Sequence, residues 1–397
     1  MDLLLKNVTV VDGRGGEPLE DAVIAIKGSR IEYVGRAADG PSAASLVLDV
    51  QGRTAVPGLI NTHAHITLDA LNLATPRRYN ADGEHLGILQ AAARAHRALR
   101  NGITTIRDCN APGRTTFALR TAFAQRLMNG PRLYVSGCAI CATGGHMNAI
   151  SFEADGPDEV VKGVRQQVKA GADFIKLVAD GTTTSSGGGQ PELQMMAEEM
   201  RAGVEVAHRL GKRVSAHAVS RGGVRESLSA GVDCIEHGYD LTDDLIATMK
   251  AQGTSLVPTL SVHGAILRNG AKAGWPADRL KNSERVLATA LSSVGRCFSA
   301  NVNVACGSDS GSPFNCLWDI VPELQLMREA GLTPGQVLEA ATRRAAAVIG
   351  VERDLGTLEA GKLADVLLVD GDPLRDVRAL ERIHTVIKDG AIVAEDR

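Results

Sequence analysis

The chain has 397 residues, 44% of them hydrophobic and 22% charged, with a formal net charge of -3. That balance is ordinary for a soluble globular protein. It supplies neither a basic stripe for nucleic acid nor a polybasic patch for a membrane, which leaves small-molecule chemistry as the expectation. Aromatic residues make up only 3% while Ala and Gly are abundant, so the core is expected to be aliphatic, with close helix–sheet packing. Seven scattered cysteines do not make a secreted disulfide framework. The single CxxC, Cys138 and Cys141, has no second pair at zinc-ribbon spacing and reads as buried thiols. The run Met1-Asp2-Leu3-Leu4-Leu5-Lys6 lacks the pattern of a signal peptide, and no apolar stretch approaches the roughly 20 residues of a membrane span. A cytoplasmic location is expected.

In chain order, residues 1–54 read as strands and turns: 3–11, then 22–26 and 31–34 about the turn Lys27-Gly28-Ser29-Arg30. The middle has another rhythm, in which short apolar runs alternate with amphipathic segments of ten or more residues. Strands are predicted at 56–62, 103–107, 132–136, 174–178, 213–216, 234–236, 255–259 and 302–306. Helices are predicted at 86–100, 115–128, 158–169, 191–210, 224–229 and 242–251, then at 317–329 and 334–349. Gly102, Gly130, Gly171, Gly211, Gly231 and Gly253 follow several of these helices, where a C′ glycine belongs. Residues 262–300 are long for one connection and are expected to carry extra helices. Eight strand–helix units imply a closed parallel barrel, although 397 residues exceed the usual single core. Beyond them come β-rich runs at 364–369, 385–387 and 392–393, the last two about Lys388-Asp389-Gly390. The prediction is an α/β chain: a (β/α)8 TIM barrel over 56–352, with a small β-sandwich domain built from 1–55 and 353–397.

Such a barrel carries its chemistry at the C-terminal ends of its strands. The first strand ends in Asn61-Thr62-His63-Ala64-His65. Side chains two apart share a face, so His63 and His65 form half of a metal site or, more simply, a hydrogen-bonded pair. The fifth strand ends in His217, the sixth in Glu236-His237-Gly238 and the eighth in Ser308-Asp309-Ser310. Four of the ten histidines and one aspartate therefore sit where strand ends converge. The fourth strand, Phe174-Ile175-Lys176-Leu177-Val178, holds a lysine among apolar neighbours, where burying an ammonium is costly and lowers its pKa unless it snorkels or pairs with an acid. Two strand-end loops stand out. One contains Thr143-Gly144-Gly145-His146. The other runs from Asp180 to Gly189 and lacks the lysine of a phosphate-binding loop, reading as an active-site lid or a surface linker.

The ordered set H-x-H, Lys, His, His, Asp resembles the amidohydrolase superfamily. The chain is more closely similar to its imidazolonepropionase-like branch of metal-dependent dipeptidases, prolidase-like enzymes and ochratoxinase-like carboxypeptidases. Further motifs carry the likeness: Pro57-Gly58-Leu59-Ile60, Thr143-Gly144-Gly145-His146 and the run from Leu355 to Asp365. The resemblance implies two divalent metal ions, expected to be zinc, with His63, His65 and Asp309 on one and His217 and His237 on the other. Lys176 as a carbamate, together with a water or hydroxide, would bridge them. It further implies hydrolysis of an amide or peptide C–N bond in a small substrate, a dipeptide or N-acyl amino acid, by metal-activated hydroxide. Asp309 would shuttle the proton and His146 would hold the carbonyl oxygen. Prolidase-like relatives carry a carboxylate-binding Tyr two residues after the fifth-strand histidine; here Val219 stands there, with Tyr239 or Arg221 as possible replacements. A cyclic-amide hydrolase or ring deaminase of the same superfamily is the alternative. A non-catalytic assembly protein fits poorly, since such relatives lose ligands that this chain keeps. Relatives commonly self-associate, so a homo-oligomer is expected.

Overall fold

A computed structural model of the protein describes residues 1–71, 83–183 and 191–395. The predicted lid between Asp180 and Gly189 therefore lies outside the described residues from position 184 onward. Strands β1 (Leu3–Val10), β2 (Leu19–Lys27) and β3 (Arg30–Arg36) form an antiparallel meander, closed at the turn seen in the sequence. Strand β4 (Leu46–Asp49) pairs parallel with the first half of β1, and β5 (Thr54–Pro57) pairs parallel with its last residues.

At Gly58 the chain leaves this sheet. The predicted first barrel strand is thus divided, with Val56 and Pro57 in β5 and the rest in β6 (Leu59–Ala64). A Cβ at Gly58 would lie 2.2 Å from Thr104 Oγ1, so only glycine lets the two sheets approach so closely here. From β6 the strand–helix rhythm follows the prediction: α1 (Gly83–Arg100), β7 (Ile103–Asp108), α2 (Thr115–Ala124) and β8 (Arg132–Val135). Two short strands, β9 (Ile140–Cys141) and β10 (Phe152–Glu153), frame the loop that bears His146. Next come α3 (Pro157–Ala170), β11 (Ile175–Val178), α4 (Ala197–Arg209), β12 (Val214–Ala218), α5 (Arg221–Ala230) and β13 (Cys234–His237). Helix α6 (Asp243–Gln252) and strand β14 (Ser255–Val257) follow. The extra helices expected in the long connection are α7 (Ser261–Asn269) and α8 (Ala277–Ser299).

The central strands make two parallel arcs, β6-β7-β8 and β10-β9-β11-β12-β13-β14. Residues 302–306, predicted as the eighth strand, form no extended ladder. A parallel bridge joins Val304 to Leu256, and another joins Ser310 to Ala64. The amide of Thr62 donates to Cys306 O at 3.0 Å, so this segment runs between the edges β14 and β6.

Several helix boundaries differ from the prediction; α1 and α5 start three residues early and α2 ends at Ala124 rather than 128. Helix α4 starts at Ala197 rather than 191, because Glu199 turns back to accept the amides of Met196 (2.7 Å) and Gly156 (2.5 Å). Helix α9 (Val321–Glu329) starts late, with a proline in its first turn. The predicted 334–349 helix is two helices, α10 (Pro334–Ala340) and α11 (Arg343–Ile349), broken where Thr342 leaves helical geometry at φ -134° and ψ -92°.

Strands β15 (Val366–Val369), β16 (Ile383–Lys388) and β17 (Ala391–Glu395) return to the first sheet, β15 pairing antiparallel with β5. Both ends of the chain thereby share one eight-stranded sheet, whose order is β17-β16-β15-β5-β1-β2-β3 with β4 beside β1. Its buried Leu3, Leu5, Ile24, Ile26, Val366 and Leu368 form an apolar core separate from that of the central strands and helices. Arg132 of β8 bridges the two layers, pairing with Asp365 at 2.8 Å and with Asp389. Cys138 and Cys141 are free thiols, and burial raises the latter's pKa to about 11. No helix among the described residues is long and apolar enough to cross a membrane.

Candidate active site

His63, His65, Lys176, His217, His237 and Asp309 line one cleft at the C-terminal ends of the central strands. His63 projects from β6 and His65 from the residue beyond it. Backbone hydrogen bonds set Asp309 against them: its amide donates to His63 O at 2.8 Å, and the amide of His65 donates to Ser310 O at 2.8 Å. Asn61 locks the same seam, its amide group reaching Ser308 Oγ at 2.8 Å while its carbonyl oxygen accepts Ser308 N at 3.1 Å. Asp309 Oδ1 lies 3.1 Å from His65 Nε2 and 3.5 Å from His63 Nε2. These three ligand atoms fall within 4.8 Å of one another, close enough to share a single ion.

A chain of imidazoles links this group to the other side. The His63 and His237 ring centres are 5.0 Å apart, His237 and His217 4.4 Å, and His217 and His146 4.5 Å. Each of the four strand-end histidines has one ring nitrogen engaged by the protein. His63 Nδ1 faces Glu236 Oε2 at 2.7 Å, His65 Nδ1 faces Asn110 O at 3.4 Å, and His217 Nε2 faces Gly181 O at 2.9 Å. A carboxylate or carbonyl only accepts, so His63 Nδ1 and His217 Nε2 carry the proton and their opposite nitrogens present a lone pair to the cleft, whereas His65 lies between two acceptors, Asn110 O and the nearer Asp309 Oδ1. His237 Nδ1 meets Thr259 Oγ1 at 2.7 Å, leaving its Nε2. His237, Thr259 and Asp309 all hold the left-handed backbone region, at φ 75°, 52° and 51°. Side chains rarely adopt that conformation, and a β-branched threonine least of all, so the strand ends store strain where these groups converge.

The electrostatics favour ligand forms. Burial drives the His63 pKa down to about 4, and it drives His217 and His237 well below their ordinary value, with neighbouring imidazoles and Lys176 adding to the effect. Burial alone would raise the Asp309 carboxyl, but His63 and His65 outweigh it and hold it below the usual range. Lys176 is 3% exposed, and its Nζ has no hydrogen-bond partner among the described residues. A buried ammonium without an acceptor costs several kcal/mol, so the side chain calls for a partner or a chemical change.

The remaining sequence candidates divide. His146 lines the cleft, its amide fixed by Gln194 Oε1 at 2.7 Å. Tyr239 lines it too, with its hydroxyl 3.0 Å from Thr259 Oγ1, and Val219 faces it from β12's end. Arg221 does not reach it, which corrects the expectation that this residue replaces the missing tyrosine. Its guanidinium is 58% exposed and paired with Asp240 at 2.8 Å, at the outer start of α5. Sequence reasoning assigned no role to Arg107, Glu236 or Thr259. The first two carried a signal, since each is a charged side chain within a predicted strand.

The model of the amidohydrolase family matches residues 54–393. The chain is 28% identical to ochratoxinase of Aspergillus niger, over 94% of this chain and 82% of that protein. Among solved structures it resembles an Xaa-Pro dipeptidase with methionine bound in the active site (TM-score 0.89, 27% identity, 99% and 100% of the two chains). It also resembles a putative prolidase from Bifidobacterium longum (TM-score 0.85, 32% identity, 100% and 96% of the two chains).

Proposed function

The chain belongs to the amidohydrolase family, and from that premise we propose that it is a metal-dependent hydrolase cleaving an amide or peptide C–N bond in a small substrate. The observation that carries this reading is the gathering of four imidazoles and Asp309 around the partnerless Nζ of Lys176. The donor set fits a pair of divalent cations: His63, His65 and Asp309 would hold one, and His217 and His237 the other. A carbamate on Lys176, which turns an uncompensated ammonium into an anionic oxygen ligand, would hold both. When bound, such cations acidify water and polarise the scissile carbonyl. Zinc suits nitrogen and oxygen donors of this kind.

The chain's own residues supply the remainder. Asp309 takes the proton of the attacking water and passes it to the nitrogen that leaves as the C–N bond breaks. His146 orients the carbonyl oxygen from the loop between β9 and β10. Val178, Val219 and Val262 give the cleft apolar walls suited to an aliphatic side chain. Ochratoxinase and the dipeptidase- and prolidase-named structures support a dipeptide or N-acyl amino acid as substrate. Support for a closed (β/α)8 barrel over 56–352, with the terminal segments 1–55 and 353–397 forming the small β domain, comes from the bridges that Val304 and Ser310 make to either arc.

A mononuclear ring deaminase is disfavoured, because Lys176 would have no purpose in it. The deciding experiment is metal analysis of the purified protein, followed by a hydrolysis screen of dipeptides, N-acyl amino acids and lactams. Two divalent equivalents, loss of turnover on chelation and release of a free amine are expected. Metal-free protein with full turnover, or ammonia as the nitrogen product, would overturn the reading.

A further inference from the structure

Beside the cleft, but outside its lining, is a fully buried pair of charges. Glu236 is 0% exposed and Arg107 3%. Arg107 comes from β7 and Glu236 from β13, strands that share no ladder among the described residues. Arg107 Nη2 donates to Glu236 Oε1, its Nε donates to Thr62 O at 2.5 Å, and its carbon centre stands 4.9 Å over the Phe174 ring. Cys234 Sγ approaches the same Oε1 at 3.5 Å. The second oxygen, Oε2, accepts His63 Nδ1 at 2.7 Å.

A buried ion pair costs desolvation that packed apolar residues would avoid, so its presence beside a ligand histidine calls for a task. Glu236 is not itself a metal ligand. Both its oxygens are committed, and the guanidinium against it would repel a cation. What it can still decide is which ring nitrogen of His63 carries the proton.

We propose that Arg107 and Glu236 form a positioning device that fixes the tautomer of His63. The guanidinium is donor-only, so it holds the carboxylate with one oxygen turned to itself and the other to His63. A carboxylate oxygen compels Nδ1 to carry the proton, and Nε2 is thereby left as a lone pair aimed at Asp309 and the proposed ion. This inference rests on the metal reading above and adds residues from β7 and β13 to it.

The device makes a sharp prediction for Glu236→Gln, a nearly isosteric change. Arg107 accepts nothing, so the glutamine oxygen must face it. The amide NH2 is then turned to His63 Nδ1, which can only accept from it, and the imidazole proton moves to Nε2. The ligand atom is blocked without any loss of volume. Removing the guanidinium as well, in Arg107→Met/Glu236→Gln, frees the amide to turn over and offer its oxygen to Nδ1.

The test titrates Zn2+ or Co2+ into metal-free protein and records the stoichiometry, the affinity and the cobalt absorption spectrum, with circular dichroism as the fold control. Glu236→Gln is expected to weaken the more affected equivalent about 10- to 100-fold, as outer partners of ligand histidines do. The double variant is expected to regain most of that loss. Wild-type affinity and spectrum in Glu236→Gln, or a double variant as weak as the single one, would overturn the proposal. Side-chain 15N shifts of His63 in metal-free wild-type protein test it without depending on any charged-pair variant: Nδ1-protonated supports it, Nε2-protonated refutes it. Wild-type protein that binds no divalent ion would instead refute the metal reading, so the two failures are distinct.

Discussion

Asp309 concentrates the chemistry of this site in one side chain. Its Oδ1 sits 3.1 Å and 3.5 Å from two imidazole nitrogens, and its backbone, at φ 51°, donates its N–H to His63 O. A carboxylate kept ionised in this way can serve as ligand and, in turnover, as proton carrier. Asp309→Asn keeps shape and one oxygen ligand but accepts no proton. Its expected kcat loss is about 10²–10⁴-fold, with the circular dichroism spectrum and melting temperature near wild type. Near-normal kcat would remove Asp309 from the proton path. At the same scale, Tyr239 shows how little a residue type says by itself. It lines the cleft, yet its hydroxyl is engaged with Thr259, which also engages His237. Tyr239→Phe is expected to change KM for a substrate with a free carboxylate no more than for its amidated analogue, as steady-state kinetics on the two will report.

Between elements, the contact that ties the terminal sheet to the central strands is ionic. Arg132 leaves β8 and meets Asp365, before β15, and Asp389, in the turn between β16 and β17. Asp365 and Asp389 are linked as well, since Asp365 Oδ1 accepts the Asp389 amide at 2.9 Å. Taking the arginine away strands two carboxylates in a largely dry interface. Arg132→Met is therefore expected to cost about 3 kcal/mol in urea unfolding at neutral pH. Burial would raise the Asp389 carboxyl, but Arg132 and Lys388 more than offset it, and its pKa lies below the ordinary 3.8. A depressed carboxylate contributes stability that is complete above its unfolded value and fades as pH falls through the folded one. Below pH 3.8 the wild type should thus lose stability more steeply than Asp389→Asn; parallel curves would show that Asp389 takes no part.

At the scale of the whole molecule, the terminal sheet keeps an apolar core of its own, and none of that core's residues lines the cleft. Ile24, fully buried in the terminal sheet, touches none of the cleft-lining set. Ile24→Ala should remove roughly 2–5 kcal/mol and lower the melting temperature. At 25 °C the bound-metal stoichiometry should stay at its wild-type value. A variant that loses metal in proportion to stability would mean that the sheet shapes the site rather than bracing it.

The sequence by itself determined what local pattern can express. A period of two put His63 and His65 on one face, and the alternation of apolar runs with amphipathic segments located β6, β7, β8 and β11 to β14 to within a few residues, but not the two-residue strands β9 and β10. Polar residues at strand ends then named His63, His65, His217, His237 and Asp309, because side chains ending parallel strands share one rim, while Lys176 stood out only as a lysine among apolar neighbours. Where the pattern failed, the cause was a contact distant along the chain. The division of residues 56–62 at Gly58 depends on Thr104, and the late start of α4 on a carboxylate that reaches Gly156. Arg221 stood two residues beyond Val219 and so resembled a substitute, but Asp240 holds it outside. Only the tertiary structure decided which nitrogen of each histidine faces the cleft. That choice rests with Glu236, Asn110, Gly181 and Thr259, and it joins residues as far apart as Arg107 and Glu236, 129 positions along the chain. A hydrogen bond between strands brought together by folding leaves no periodicity in the chain, only a charged side chain where an apolar one would be expected.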